Sequence, residues 1–427
     1  MMTSIPTTAS LRLPQIIALY IGSVLGSGIL LLPGLTAEMA GPASLIAWII
    51  MSLLAIPVAL TLGLLSVRYP HSGGVSHFVS QAFNPHLGSL VGWFFLFSVI
   101  IGVPIIALTG SGYACAAVGL NETCRLIIAI LILLTGVTAN YIGMKLTGQI
   151  QVAVVVGTIV VLIAAIFGGV STIDPVNFTP FMPYGWVSIG GAATLIFWCF
   201  LGWEAISHLT EEFEDPGRDV VKGTIISAII ISTLYIGAAV AVVGTHWYGS
   251  GISDVALIHL IKTAFGQYGV ILTGFISLFI CTAPAIAYIG AASRLVYSLS
   301  VTGYAPEIFS RLSPRFHTPI GGLWFLILCF AILLGVFSSG ILSLTTLIQI
   351  PNATFILTYL GASAAGVILL KESRFGIIMS GISLLLTAII FIFVGWAFLY
   401  PMAITAAWWG YIRFARSRYD IRPGGEA

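Results

Sequence analysis

The sequence predicts an all-α polytopic membrane protein of about twelve transmembrane helices, two of them interrupted. Three observations predict it: very little charge, a series of apolar runs of spanning length, and a one-sided placement of the basic residues. Of the 427 residues, 59% are hydrophobic and only 7% charged, and the mean hydropathy is +1.09. A soluble domain carries roughly 25% charged residues. So few charges cannot cover a water-facing surface, so lipid is the solvent for most of the chain. The length therefore gives no count of soluble domains.

A helix needs about 20 mostly apolar residues to cross a bilayer. Twelve runs meet that need: 14–38, 43–66, 87–118, 125–143, 149–170, 187–210, 221–244, 268–297, 320–338, 342–370, 375–395 and 397–413. The third and eighth are long enough to tilt or protrude. The last two are separated only by the region around Gly395-Trp396. The first ten residues are polar, with no basic stretch and no cleavage pattern, so the first run reads as a retained helix rather than a signal peptide.

The basic residues orient these spans. With both termini in the cytoplasm, fourteen fall inside: Arg12, Arg68, Lys145, Arg218, Lys222, Arg294, Arg311, Arg315, Lys371, Arg374, Arg413, Arg416, Arg418 and Arg422. Only Arg125 and Lys262 fall outside. This is a strong positive-inside bias, and an odd number of spans would destroy it. Trp93, Trp247, Trp396, Trp408 and Trp409 lie near span ends, as interfacial aromatics do. A cytoplasmic tail is expected at 1–13, a core at 14–370 with halves at 14–170 and 187–370, two accessory helices within 371–413, and a second cytoplasmic tail at 414–427.

Span 1 contains Gly22-Ser23-Val24-Leu25-Gly26-Ser27-Gly28, followed by Pro33-Gly34. Each glycine disfavours continuous helix by roughly 1 kcal/mol relative to alanine. A break here would aim the amides and positive dipole of the second half-helix into a polar cavity, an arrangement suited to a carboxylate. The competing reading is close helix packing through small residues. Span 6 contains Ile196-Phe197-Trp198-Cys199-Phe200-Leu201-Gly202-Trp203-Glu204. An ionisable group at that depth costs at least about 2.5 kcal/mol, which makes Glu204 a functional candidate. His208, four residues on, shares its helix face. The pair reads either as a structural brace or as a gate and proton-handling site. Two interrupted helices five spans apart point to an inverted-repeat transporter with a midplane site. Pro57, Pro104, Pro284 and Pro351 lie inside spans 2, 3, 8 and 10 and read first as kinks. Asn352, beside Pro351, places a polar group mid-membrane as a candidate cavity wall. The segment from Arg68 to Gly74 reads as a polar cytoplasmic loop.

Other function classes find no support. A net charge of +2 is not a nucleic-acid signature. The five cysteines (Cys115, Cys124, Cys199, Cys281, Cys329) show no metal-ligand spacing and read as buried thiols, so no metal and no cofactor are expected. No HExxH, paired carboxylates or nucleophile elbow suggests an enzyme. Two broken helices facing one site favour alternating access over an open pore.

Several fragments, in order, carry a family resemblance: Gly26-Ser27-Gly28-Ile29, Tyr69-Pro70-x-Ser72-Gly73-Gly74, Phe197-Trp198-x-Phe200-x-Gly202-x-Glu204, Asp215-Pro216-x-Arg218 and Ala292-Ser293-Arg294-Leu295-x-Tyr297. With them the chain resembles the amino acid–polyamine–organocation (APC) transporter superfamily. Phe197-Trp198-Cys199-Phe200, His208-Leu209 and Arg294-Leu295-Val296 make it most similar to the bacterial amino-acid efflux group, typified by exporters of methionine and branched-chain amino acids. The resemblance implies a five-plus-five inverted-repeat (LeuT-like) core with two added C-terminal helices, in the bacterial inner membrane. It implies a substrate carboxylate at Ser27 and Gly28, beside Gly26, and a substrate ammonium at carbonyls of Val24, Trp198 and Leu201. Trp198 matches an aromatic gate, and Val103, Tyr288 and Asn352 match a side-chain pocket. Glu204 and Tyr359 match members of a cytoplasmic gate, with Phe95 where relatives often have tyrosine.

No acid lies in spans 3, 8 or 10 to pair a cationic side chain, so an apolar substrate side chain is expected: Leu, Ile, Val or Met. Span 5 has neither lysine nor acid, which removes lysine-based proton coupling. Proton antiport through Glu204 or His208 and simple exchange both stay open. The lean toward export comes from the resemblance alone, with uptake or broader neutral exchange as the alternative.

Overall fold

The computed structural model describes residues 12–70, 74–143, 148–203, 213 and 215–418. Lys145, Glu204 and His208 lie outside the described residues. All elements among the described residues are helical. In chain order they are α1 (Leu13–Val24), α2 (Gly28–Ala40), α3 (Ser44–Arg68), α4 (Gly74–Ala82), α5 (Pro85–Val118), α6 (Glu122–Ile142) and α7 (Gly148–Val170). Then follow α8 (Gly185–Ile196), α9 (Pro216–Thr245), α10 (Ala256–Val301), α11 (Ile320–Ser338), α12 (Leu344–Leu369), α13 (Arg374–Ile392) and α14 (Leu399–Arg418).

Nine stretches among the described residues are long and apolar enough to cross a bilayer, which makes this a polytopic membrane protein. The expected count of twelve is higher for identifiable reasons. Predicted span 1 is divided between α1 and α2, and predicted span 6 leaves α-helix at Ile196. Predicted span 12 corresponds to α14, which continues through Arg413 to Arg416 and Arg418. Elsewhere the apolar runs and the helices agree within a few residues, because hydrophobic length is what a membrane helix must satisfy.

Three features are informative. Predicted span 8, 268–297, is the distal part of the longer α10, which bends at Gly266 (φ 60°, ψ −157°) rather than losing helical dihedrals at Pro284. Each expected proline kink lies in a helix that continues past it: Pro57 in α3, Pro104 in α5, Pro284 in α10 and Pro351 in α12. The expected loop after span 2 ends in a further short helix, α4, which buries Val75, Phe78 and Val79.

The exterior, not only the core, is apolar. Large apolar side chains cover the outside, as at Leu53, Phe167, Trp186 and Leu385, and others fill the interior, as at Trp48, Leu96, Tyr113 and Phe355, together with small and hydroxylated residues at helix contacts. α5 runs along α10 and α12, α3 and α1 pack on α9, and α13 packs on α12 and α3. Buried hydroxyls return to backbone carbonyls one turn back, as Thr61 does to Pro57 (2.8 Å) and Thr109 to Ile105 (2.8 Å).

The two ends of the bundle carry different ion pairs. Arg125, 8% exposed, donates to the Leu108 carbonyl (3.2 Å) and pairs with Asp254 (3.1 Å) and Glu122 (3.3 Å). It thereby ties α6 to α5 and to the turn before α10. Arg68 pairs with Glu372 between the ends of α3 and α13, in the open.

Candidate functional site

Two interruptions meet at the middle of the bundle. The first covers Leu25–Ser27: α1 ends at Val24, and α2 restarts at Gly28. The second follows α8, where Phe197–Phe200 tighten into a 3-10 turn, Leu201 is extended (φ −80°, ψ 154°) and Gly202 has φ +115°. A methyl group on Gly202 would stand 2.1 Å from the Ser23 carbonyl oxygen, so the two breaks touch through backbone at that point. Only glycine serves there, for its dihedral and for the space.

A cavity opens between the two breaks and α5, α10 and α12. Eight of the nine predicted binding residues line it: Val24, Gly26, Ser27, Gly28, Val103, Trp198, Leu201 and Tyr288. Ser23, Val99, Gly102, Ile106, Pro284 and Phe355 complete the lining. Val99 and Ile106 were legible in principle, since they flank Val103 at helical spacing, and Pro284 stands one turn from Tyr288. Asn352 stands apart from the lining. It is 1% exposed, and its amide donates to the carbonyls of Thr194 (2.8 Å) and Leu195 (3.2 Å). The reason is local: α8 unwinds just beyond, and its last carbonyls take the nearest donor.

Tyr235 has no counterpart in the sequence reading. Its hydroxyl, fully buried on α9, lies 3.1 Å from the carbonyl oxygens of both Val24 and Cys199. One phenol thus spans the two interruptions, sharing its proton between carbonyls that the breaks release from helix bonding. No local motif could announce it, because the acceptors lie 211 and 36 residues away along the chain. Of the other carbonyls expected to face an ammonium, that of Trp198 accepts from the Leu201 amide at 3.5 Å.

The predicted gate residues are partly placed. The Tyr359 hydroxyl accepts from the Gly202 amide (3.4 Å), and its ring packs edge-on against Phe197. Phe95 sits one layer behind the lining, against Tyr288 and Phe355 (centroids 6.4 and 6.1 Å). Phe355 in turn meets the indole of Trp198 edge-on, 5.9 Å between centroids.

The chemistry of the cavity follows. Among the described lining residues there is no acid, lysine, arginine or histidine. The N-terminus of α2 opens onto the cavity at Gly28, presenting positive dipole and amides to an anionic group. Apart from Ser23, Ser27 and Tyr288, the remaining walls are glycine, valine, leucine, isoleucine, proline and aromatic side chains. Such a site fits a compact zwitterion with an apolar body and has nothing to neutralise a charged side chain.

A family model described as amino acid permease matches residues 11–413. The chain is 37% identical over 396 residues to the uncharacterized amino acid permease YecA of Bacillus subtilis, covering 93% of both chains. It is 33% identical over 408 residues to the L-methionine/branched-chain amino acid exporter YjeH of Escherichia coli, covering 93% of this chain and 95% of that one. The branched-chain amino acid permease BcaP of Bacillus subtilis is 25% identical over 328 residues, covering 72% of this chain and 70% of that one.

Proposed function

Since the chain belongs to the amino acid permease family, we propose that it is a secondary transporter of neutral, hydrophobic amino acids of the Leu, Ile, Val and Met type, working by alternating access. The family brings amino-acid transport and a membrane setting. The narrower substrate class rests on one observation: the cavity between the two breaks has backbone dipoles for a zwitterion and mostly apolar walls, with no acid, lysine, arginine or histidine among its described lining residues. The substrate carboxylate meets Ser27 and Gly28 at the start of α2. The ammonium meets carbonyls of the first break and of the turn after α8, and the side chain lies toward Val99, Val103 and Ile106. Counterflow in proteoliposomes across the twenty amino acids tests this. Leucine and methionine should exchange, and strong arginine or glutamate exchange with no leucine signal overturns it.

Export is the proposed direction, in a bacterial inner membrane with both termini cytoplasmic. It is supported by the likeness to the YjeH exporter. Cells lacking the gene should be inhibited by a leucine- or methionine-containing dipeptide that they hydrolyse. Normal tolerance in a strain without other exporters favours the second reading, an uptake permease, to which the weaker likeness to BcaP points.

Coupling is assigned to Glu204 with His208, from sequence position alone. A carboxylate at that depth is costly to hold charged when shut away from water, and opening relieves the cost, so its proton affinity follows the gate. Glu204→Gln keeps the shape and removes the titration. Loss of pH-gradient-driven net flux with surviving counterflow supports the role; wild-type net flux removes it.

A further inference from the structure

We propose that Gly102, on α5, sets the largest substrate side chain this protein accepts, by fixing how far the indole of Trp198 stands back from the cavity. This rests on the cavity being the substrate site. Trp198 belongs to the lining, and two glycines from different helices receive its two ends. A methyl group built on Gly102 would stand 2.6 Å from Cη2 and 3.2 Å from Cζ3, at the far edge of the six-membered ring. One built on Gly28 would stand 2.8 Å from Cδ1 of the five-membered ring and 3.0 Å from Cys199 Sγ. The indole therefore spans the gap between α2 and α5 with no room for a side chain at either support. Phe355 adds an edge contact, 5.9 Å between centroids.

The two supports are not equivalent. At Gly28 the neighbouring backbone also crowds the added methyl, with Cys199 Cα at 3.4 Å. At Gly102 all three nearest atoms belong to the Trp198 ring. A methyl there therefore acts on one mobile group, the tip of a side chain with two rotatable bonds. With the two supporting helices and Phe355 already against the ring, its free space is the cavity. The displaced indole and the new methyl then both subtract from the volume open to a substrate. In an apolar pocket one methylene is worth roughly 10–200-fold in discrimination. The loss should fall on long side chains and spare short ones.

The test uses purified full-length protein in proteoliposomes, with leucine exchange competed by unlabelled alanine, valine, leucine and methionine. The variants are Gly102→Ala, Trp198→Phe and the two combined. Gly102→Ala should lower the preference for leucine and methionine over alanine by about tenfold or more. Trp198→Phe in that background removes the ring atoms the methyl strikes and should restore most of the preference, a coupling that unrelated structural damage would not produce. An unchanged leucine-to-alanine ratio in Gly102→Ala, while Trp198→Phe alone alters it, overturns the assignment to Gly102. An unchanged ratio in every variant overturns the substrate cavity itself. If Gly102→Ala fails to reach the membrane, the double variant decides: recovery with a wild-type preference for leucine supports the contact, and failure of both overturns it.

Discussion

Gly26 and Gly202 each sit in a break of an apolar helix, yet their surroundings are opposite. A methyl group on Gly26 would find only the Val24 carbonyl oxygen, 4.0 Å away, with the cavity beyond. One on Gly202 would collide with the Ser23 carbonyl, at 2.1 Å, on a backbone with φ +115°. The first interruption is roomy and faces the cavity, whereas the second is jammed against the first. At these two glycines, one break is open toward the cavity and the other is packed against the end of α1. Tyr235 and Tyr359 reinforce that division, the one reaching carbonyls of both breaks and the other taking the Gly202 amide.

The strongest way to break this comparison is Gly202→Ala. Backbone strain alone costs about 1–3 kcal/mol, and the collision adds to it. The variant should fail to give a monodisperse peak in detergent or should melt well below wild type; an unchanged melting temperature means that the second break is as loose as the first. Next is Tyr235→Phe, which withdraws a donor shared by two buried carbonyls and should cost about 1–2 kcal/mol of stability. Its transport rate should fall as well, and an unchanged thermal midpoint with normal exchange would show that the phenol does not link the breaks.

Gly26→Ala should separate stability from function. The added methyl meets no close neighbour, so its effect on stability should stay within about 0.5 kcal/mol. It adds bulk at a position that lines the cavity, so amino-acid affinity should weaken while the melting temperature holds. A destabilised protein with normal affinity would reverse the assignment of the two breaks.

The smallest effect is expected at the Arg68–Glu372 pair, far from both breaks. The hydrogen-bonded Arg68 guanidinium holds the Glu372 carboxyl below its usual range. Any contribution to stability is therefore present above the ordinary carboxylate range and lost as the pH falls through the lowered one. Both groups are exposed and screened, so Glu372→Gln should leave the melting temperature near pH 7 unchanged within error. A clear drop would mean that this end of the bundle is braced as firmly as the Arg125 end.

Much of the site was legible because membrane helices advertise their breaks. Although Trp198, Leu201, Val103 and Tyr288 were legible only through the family resemblance, glycines within an apolar run, and a carboxylate near Gly202, violate what a bilayer span requires, so the two breaks stood out. Asn352 stood out for the same reason, but its amide serves the end of α8 rather than the cavity. A polar residue in lipid announces that it has a partner, not which partner. Gly102 and Phe355 were silent, being ordinary small and apolar residues in apolar helices.

The sequence by itself determined the solvent, the spacing of the helices and the places where two of them are interrupted. Those properties follow from local composition, because a span's length and its tolerance of glycine are set within a single segment. Only the tertiary structure decided what each interruption touches. That Ser23 abuts Gly202, that Tyr235 reaches both breaks and that Trp198 lies across Gly28 and Gly102 are contacts between distant segments. Helices apolar on every face carry no stripe to say which face packs inward; shape and hydrogen bonding between helices make that choice.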